Sequence, residues 1–306
     1  MTLTAIVLVL LSAFMHAGWN FFGKKTSPTL GFFLLTMIAG ALVFSPVIIW
    51  QWPLIHAFHR DILFLLFATG FFHSLYLWGL AEAYRSGDMS IAYPLARSSP
   101  LIIVAISSLF LGQQETLSIQ AVVGIVMIVV GCLFIPLPSF SDFRLRNYQN
   151  RTTVFALLAA FATAGYSLVD DRATALMRAL TDASGMPLAS PWQVSLLYIT
   201  LQAAFSVIWM IWFVLFTPKQ RQTFGRMCMT QWRIGLLTGA LMLGTYSLVI
   251  LSMAFVSNVS YVVALRQLSI PLGVLFAVIS FGESLRAPKV IGVTITVIGL
   301  IAVALG

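Results

Sequence analysis

Charged residues are scarce in this chain of 306 residues, of which Asp, Glu, Lys and Arg together make up only 8%. Soluble proteins carry about 25% charged residues, so a water-soluble surface cannot be built from this composition. The scarcity excludes soluble enzymes, nucleic-acid-binding proteins and secreted scaffolds. Cysteine is scarce too. The chain has only Cys132 and Cys228, which are too few for a disulfide framework.

Hydrophobic residues make up 60% of the chain, and its mean hydropathy is +0.98. Apolar runs of about 20 residues recur along it, and each run spans about 30 Å of hydrocarbon as a helix. The sequence therefore predicts an all-α polytopic membrane protein in contact with the lipid bilayer. The net charge of +8 then reflects basic cytoplasmic loops, and no nucleic-acid partner is expected. The first apolar run lacks the positive start of a secretory signal and is predicted to be a transmembrane helix.

Polar and Pro- or Gly-marked breaks between the runs predict ten transmembrane helices. Their predicted ranges are 2–22, 30–50, 62–84, 89–111, 117–136, 152–171, 192–216, 233–256, 258–281 and 288–305. The segment 137–151 carries three arginines and is predicted to be a cytoplasmic linker. It divides the chain into a first five-helix repeat at 1–136 and a second at 152–306.

Ten spans put both termini on one side of the membrane, so the basic residues of the loops can be counted by side. The loops on the side of the termini carry 3, namely Arg60, Arg172 and Arg178. The opposite loops carry 12, namely Lys24, Lys25, Arg85, Arg144, Arg146, Arg151, Lys219, Arg221, Arg226, Arg233, Arg286 and Lys289. The positive-inside rule places the second set in the cytoplasm. Both termini are thus predicted outside the cytoplasm, in a bacterial inner membrane.

The two halves share residues at matched positions. Three residues recur at a constant shift of 168, since Glu115, Gly124 and Gly131 match Glu283, Gly292 and Gly299. Glycines seven residues apart lie on one helix face and permit close helix contact. Because each unit has an odd number of spans, the second copy enters the membrane upside down. Two inverted five-helix repeats are the architecture of secondary transporters, whose substrate site lies near the midplane between the halves.

Several short motifs resemble the EamA-like branch of the drug/metabolite transporter superfamily. They are HAGWNFFGKK at 16–25, SIAYPLARSSP at 90–100, ALRQLSIPLG at 264–273, and the turns at 112–115 and 282–283. The resemblance covers essentially the whole chain and implies a secondary transporter of small metabolites without a cofactor. Two features depart from the family: Gln113 follows Gly112 where Glu is usual, and many relatives are described with cytoplasmic termini, against the charge count.

Two arginines, Arg97 and Arg266, fall inside predicted spans, where an ionisable side chain costs at least a few kcal/mol. Arg97 lies 8 residues from the predicted cytoplasmic edge, and Arg266 lies 8 residues from the predicted outer edge. In a core about 30 Å thick, their backbones therefore differ by only about 6 Å in depth. Pro94, Pro100 and Pro271 remove helix hydrogen bonds beside them and are predicted hinges, at irregular backbone that lines a cavity. Because a guanidinium binds carboxylate or phosphate through two parallel hydrogen bonds, the pair predicts a small anionic or zwitterionic substrate. The alternative is that each arginine snorkels or pairs with a backbone carbonyl.

Other polar and aromatic residues inside the spans are candidate substrate ligands. They are His16, Trp19, Asn20, His73, Tyr76, Tyr93, Tyr166, Tyr261 and Gln267. His16 and His73 are also the candidate carriers of a coupling proton, because imidazole titrates near neutral pH. A neutral histidine that bridges two helices is the alternative role.

The acidic residues are expected near helix ends. Glu82 is the expected i+3 partner of Arg85, and Asp170, Asp171 and Arg172 are expected to form a hydrated helix end. No acidic residue is therefore expected at the depth of the buried arginines.

The leading function is a secondary active transporter that moves a small polar metabolite by alternating access. The alternative within transport is a proton-coupled exporter of amphipathic drugs or amino acids. A channel and a membrane-embedded enzyme are the competitors by class. An enzyme is disfavoured because the sequence has no H-E-x-x-H zinc pair, G-x-S-x-G elbow or P-loop. No metal or cofactor is expected, and the choice between monomer and homodimer stays open.

Overall fold

The structure is a computed structural model, and it describes residues 2–25, 29–86, 96, 118–135, 137, 139–142, 149–215, 218–281 and 284–305. Within these ranges the regular elements are helices, apart from an isolated bridge between Thr181 and Pro187. The predicted all-α class is confirmed for this part of the chain.

The helices follow one another along the chain in two groups. The first group is α1 (Leu3–Lys25), α2 (Leu30–Phe44), α3 (Pro46–Trp50), α4 (Trp52–His56), α5 (Arg60–Ser86) and α6 (Ile119–Phe134). The second group is α7 (Arg151–Arg178), α8 (Pro191–Leu215), α9 (Pro218–Thr230), α10 (Trp232–Met253), α11 (Val259–Leu265), α12 (Ser269–Phe281) and α13 (Ala287–Leu305). Short 3₁₀ turns lie at Phe140–Asp142 and Arg266–Leu268.

Six helical segments among the described residues are long and apolar enough to cross a bilayer. They are Leu30–Trp50, Arg60–Ala83, Arg151–Arg178, Pro191–Val214, Trp232–Met253 and Ala287–Leu305. Shorter apolar helices lie at Leu3–Trp19, Ile119–Phe134 and Val259–Leu275. These segments coincide with predicted spans, whereas the predicted span at 89–111 lies outside the described residues. The total of ten stays a prediction.

Side-chain caps begin several helices at the predicted breaks. Thr29 Oγ1 accepts the Phe32 N–H at the start of α2, and Asn150 Oδ1 accepts the Thr153 N–H at the start of α7. Ser118 and Asn258 cap α6 and α11 in the same way. Such a cap satisfies a backbone donor that has no partner within the helix.

Helix α7 is longer than the predicted span at 152–171 and continues to Arg178. Beyond Asp170 it still buries Ala173, Thr174 and Met177. The Thr174 hydroxyl donates to the Asp170 carbonyl at 2.8 Å, which keeps its polar group inside the helix. The predicted hydrated end at Asp170 is therefore wrong, because the helix continues about two turns beyond it.

The loop after α8 contains an additional helix that periodicity did not predict. Helix α9 buries Met227, packs on α2, and brings Phe224 close to Gly31. The Thr29 hydroxyl contacts Met227 Sδ at 3.3 Å. Partial burial raises the pKa of the Cys228 thiol, which disfavours the reactive thiolate.

The hydrophilic segment between α7 and α8 forms a turn around Asp182. Its Oδ1 accepts the Ser184 hydroxyl at 2.6 Å, the Ser184 N–H at 2.8 Å and the Met186 N–H at 3.0 Å. The hydrogen bond from Ser184 lowers the pKa of this carboxyl. Gly185 has a φ of 80°, which glycine adopts without steric cost.

The predicted ion pair of Glu82 and Arg85 is confirmed, with Arg85 Nη1 3.1 Å from Glu82 Oε1. Arg151, at the start of α7, also reaches Glu82, with Nη2 3.3 Å from Oε2. Both arginines are largely exposed, so this cluster contributes little stability. It does join the end of α5 to the start of α7.

The helices pack in pairs that are related by exchanging the two groups. Helix α5 packs along α7 and α8, while α10 packs along α1 and α2. In addition, α2 packs on α8 and α6 packs on α13. Exchanging corresponding spans of the two groups converts the pair α5–α7 into α10–α1 and the pair α5–α8 into α10–α2, and it maps the pairs α2–α8 and α6–α13 onto themselves.

Helices α6 and α13 meet backbone to backbone at their glycines. A Cβ added at Gly124 would lie 2.6 Å from the Gly299 carbonyl oxygen, and one at Gly292 would lie 2.6 Å from that of Gly131. The contact is antiparallel, since the earlier glycine of each helix meets the later glycine of the other. The close approach predicted from the spacing of seven is confirmed, because no side chain separates the two backbones.

Candidate functional site

A cavity with a few polar groups in its wall lies inside the helix bundle. Its lining residues come from both groups of helices: His16, Trp19, Met37, His73, Tyr76, Tyr166, Ile199, Gln202, Met242, Leu243, Thr245, Tyr246 and Arg266. Small-molecule sites combine apolar walls with a few polar groups. The lining of this cavity has that composition.

The cavity brings together six of the predicted site residues. They are His16, Trp19, His73, Tyr76, Tyr166 and Arg266. Gln267 is buried but turns back on its own helix, where its Nε2 donates to the Val263 carbonyl at 3.2 Å. Tyr261 is half-buried and is not among the lining residues.

Four predicted residues, Arg97, Tyr93, Pro94 and Pro100, lie outside the described part of the chain, as does the side chain of Asn20. Their proposed roles rest on the sequence alone.

Aromatic rings form one wall of the cavity. The Tyr166 ring meets His73, Tyr76 and Tyr246 at centroid distances of 5.5, 5.8 and 5.7 Å. The planes of these rings are steeply inclined to that of Tyr166. Ring edges therefore lie against ring faces, which is the favourable quadrupole geometry. On α1, the rings of His16 and Trp19 are in edge contact at 4.7 Å.

The hydrogen bonds of His73 identify its neutral tautomer. Its Nδ1 lies 3.0 Å from Ser206 Oγ, and the Ser206 hydroxyl donates its single proton to the Gln202 carbonyl at 2.7 Å. Since that proton is used, Ser206 accepts and His73 Nδ1 carries the hydrogen. The other ring nitrogen, Nε2, is then the acceptor of the neutral ring.

The backbone is irregular where Arg266 enters the cavity. Helix α11 ends at Leu265, a 3₁₀ turn covers Arg266–Leu268, and α12 begins at Ser269 with Pro271 in its first turn. Pro271 has no N–H to donate to the Gln267 carbonyl, so one backbone hydrogen bond of a regular α-helix is missing there.

Arg266 is 8% exposed and its guanidinium carbon lies 4.9 Å from the Tyr246 ring centroid. In the described part of the chain, no carboxylate lies within ion-pair distance of it. Its charge is held by a cation–π contact at the cavity wall, where an anionic ligand can reach it.

Directly behind this wall lies a buried carboxylate that the sequence analysis assigned to a hydrated helix end. Asp170 is 0% exposed. Its Oδ1 accepts the hydroxyls of Thr69 at 2.5 Å and Tyr198 at 2.6 Å, and its Oδ2 accepts the Tyr246 hydroxyl at 2.5 Å. The Gln202 amide lies 3.0 Å from each carboxylate oxygen. Four neutral side chains from three neighbouring helices thus replace water around the carboxylate.

Asp170 also corrects the expectation that no acidic residue lies near the depth of the arginines. Tyr246 connects Asp170 with Arg266, because its ring contacts the Arg266 guanidinium and its hydroxyl donates a hydrogen bond to the Asp170 carboxylate. The sequence signal for Asp170 is its spacing of four from Tyr166, which puts both on one face of α7.

Two polar atoms of the cavity wall have no hydrogen-bond partner among the described residues. They are Gln202 Oε1 and Thr245 Oγ1. A buried polar atom without a partner costs about 1–3 kcal/mol. Both atoms are themselves buried, although their residues line the cavity.

Bilayer-length helices around an internal cavity define a class: a multi-pass membrane protein. Residues 3–137 match the EamA-like transporter family. The match confirms the family resemblance over these residues. A small-molecule substrate and the lipid bilayer are the partners that such a transporter implies, and this is consistent with a protein that is not an enzyme.

Two further proteins are similar to this chain. An uncharacterized protein of Methanocaldococcus jannaschii is 28% identical over 135 residues, which cover 43% of this chain and 96% of that protein. A crystal structure aligns with a TM-score of 0.68 at 16% identity, covering 100% of this chain and 98% of the other. The structural likeness shows a shared fold along the full length.

Proposed function

We propose that the protein is a secondary active transporter that moves a small anionic or zwitterionic metabolite across the bacterial inner membrane by alternating access. The observation that carries this proposal is the cavity, which is lined by both groups of helices and contains one buried arginine. A site between two halves can open to either side when the halves rock against each other.

The packing of the helices supports a division into inverted repeats at 1–136 and 152–306, joined by the linker 137–151. A two-fold relation requires that when residue i contacts j′, residue j contacts i′. Gly124 meets Gly299 and Gly131 meets Gly292, which is this pattern at the shift of 168. The match of the family to residues 3–137 is consistent with a boundary near 137.

The chemistry of the cavity supports a substrate with a negative group and a hydrogen-bond donor. Arg266 suits a carboxylate or phosphate, and the polar lining residues Gln202 and Thr245 suit a donor such as an ammonium or hydroxyl group. Arg97, from the other repeat, is the proposed second anion ligand. The aromatic wall formed around Tyr166 favours the alternative substrate, an amphipathic drug or amino acid.

Counterflow in proteoliposomes tests this function. Vesicles that contain the purified protein and an unlabelled compound should accumulate the same labelled compound transiently and saturably. A panel of pyruvate, glutamate, alanine, sulfate and ethidium separates anions, zwitterions and cationic amphipaths. Counterflow of ethidium alone supports the amphipathic alternative, and conductance without counterflow indicates a channel. No counterflow with any metabolite overturns the proposal.

The orientation of the protein can be tested with fusions at Gly306. The charge ratio of 12 to 3 places the termini outside the cytoplasm, so a C-terminal alkaline phosphatase should be active and a C-terminal green fluorescent protein dark. Fusions at residue 148, in the proposed cytoplasmic linker, are the matched control and should show the reverse. An active phosphatase at residue 148 and an inactive one at Gly306 would invert the orientation.

A further prediction concerns the coupling ion. Two histidines in the cavity wall support proton coupling, so His16→Ala or His73→Ala should abolish the dependence of uptake on a pH gradient. Exchange of substrate should remain measurable. His59→Ala is the control, since this histidine is exposed and lies before α5. If both cavity variants keep normal gradient-driven uptake, neither histidine carries the coupling proton.

A further inference from the structure

Asp170 is an ionisable group at the centre of the bundle that the substrate site does not use directly. Its hydrogen-bond donors Thr69, Tyr198, Gln202 and Tyr246 are all neutral. A buried charge without an ionic partner is costly, and ionisable residues retained inside a membrane usually serve transport. The cluster therefore stabilises the carboxylate without neutralising it.

Two members of the cluster, Gln202 and Tyr246, also line the cavity. Tyr246 separates the carboxylate from the positive charge of Arg266, which lies over its ring. One phenol is thus in contact with the cavity, the buried anion and the buried cation.

The charged and titratable groups around Asp170 can be assigned helix by helix. Helix α5 contributes His73, α8 contributes Tyr198, and α10 contributes Tyr246. The 3₁₀ turn contributes Arg266, and α7 itself carries Tyr166 and Asp171. Within the described part of the chain, Arg266 is the cation of this set, and the Tyr246 phenol lies between it and Asp170.

We propose that Asp170 is a proton-binding site whose protonation is linked to the occupancy of the cavity by an anion. This rests on the proposed function, because the linked ligand is the transported anion. When an anion binds Arg266, a second negative charge lies behind the same phenol. Uptake of one proton by Asp170 removes the repulsion between the two negative charges.

The hydrogen bonds supply a route for this proton. The Tyr246 hydroxyl passes its proton to Asp170 Oδ2 and takes another from the cavity, so one proton moves from the cavity to the carboxyl. The neutral acid then donates from Oδ2 to the Tyr246 oxygen, and the Tyr246 hydrogen turns away from Asp170. A hydroxyl can make this exchange because it both donates and accepts. One proton therefore crosses the membrane with each substrate anion.

An infrared experiment on the full-length protein tests the linkage without any ligand. Loss of the Arg266 charge imitates its neutralisation by an anion. At pH 7 the Arg266→Gln variant should show a protonated carboxyl C=O band that the wild type lacks. The band should vanish in Arg266→Gln combined with Asp170→Asn, and Arg266→Lys, which keeps the charge, should not show it. Identical carboxyl bands in the wild type and Arg266→Gln would overturn the proposal.

A transport experiment tests the coupling. Asp170→Asn, which keeps the shape of the side chain, should lose the stimulation of uptake by an inward pH gradient. Asp171→Asn, its half-buried neighbour, should keep it. Gradient-stimulated uptake by Asp170→Asn at the wild-type level overturns the proposal. If the wild type shows no counterflow at all, the transporter proposal fails, while the infrared test still decides whether Asp170 binds a proton. The histidine variants are a separate question, because a proton can bind more than one group along its route.

Discussion

Arg266→Lys is expected to weaken binding of the transported anion by about 1.5–3 kcal/mol, the range for a hydrogen bond to a charged group. This corresponds to a rise of about 10- to 150-fold in Kd. Lysine keeps the charge but loses the planar fork that binds carboxylate or phosphate through two parallel hydrogen bonds. Its ammonium group also loses the broad contact of the guanidinium with the Tyr246 ring. The half-saturation concentration for counterflow measures the effect.

Arg97→Lys is expected to act in the same direction and by a similar amount, because the proposed site holds the anion between both repeats. Arg221→Lys, on the exposed surface of α9, is the matched control and should transport normally. Wild-type affinity in both cavity variants, or a cationic substrate, would mean that the arginines are structural.

Gly131→Leu is expected to lower the free energy of unfolding by about 1–3 kcal/mol, the cost of overpacking a tight contact. A Cβ at this position would lie 2.5 Å from the Gly292 carbonyl oxygen, and backbone cannot yield as a flexible side chain can. Helices α6 and α13 must then separate, which removes contacts along their whole interface. Unfolding in mixed detergent micelles measures the loss.

Gly292→Leu should destabilise the protein to a similar extent, because its added Cβ would lie 2.6 Å from the Gly131 carbonyl oxygen. Gly18→Ala is the control, since no described atom lies within 4 Å of a Cβ added there. Wild-type stability of both glycine variants would contradict a close backbone contact between α6 and α13.

The spans were predictable from the sequence because hydrocarbon imposes a simple rule on length and polarity. A run of about 20 apolar residues has no alternative to a helix in a bilayer, since its backbone groups must pair internally. The same rule failed at Asp170, where a charged residue was taken to end the span. The helix continues because four side chains from other helices supply hydrogen bonds there.

Part of the candidate site was predictable for a related reason. Ionisable residues inside apolar runs are few, and Arg266, His16 and His73 were found by that criterion. Gln202 and Thr69 are polar but not ionisable, and nothing local distinguishes them from residues that form hydrogen bonds within their own helix. Their role depends on partners that are distant in the sequence. Thr69 and its partner Asp170, for example, are more than 100 residues apart.

The sequence by itself determined the membrane class, the approximate positions of the bilayer-length helices that the structure describes, and the glycine faces, because each follows from local composition and spacing. The tertiary structure alone decided which polar groups meet. Hydrogen bonds between helices form wherever packing brings a donor and an acceptor within about 3 Å, and that distance is not encoded in any local pattern. The cavity and the Asp170 cluster are therefore consequences of how the two groups of helices pack, as is the phenol of Tyr246 that connects them.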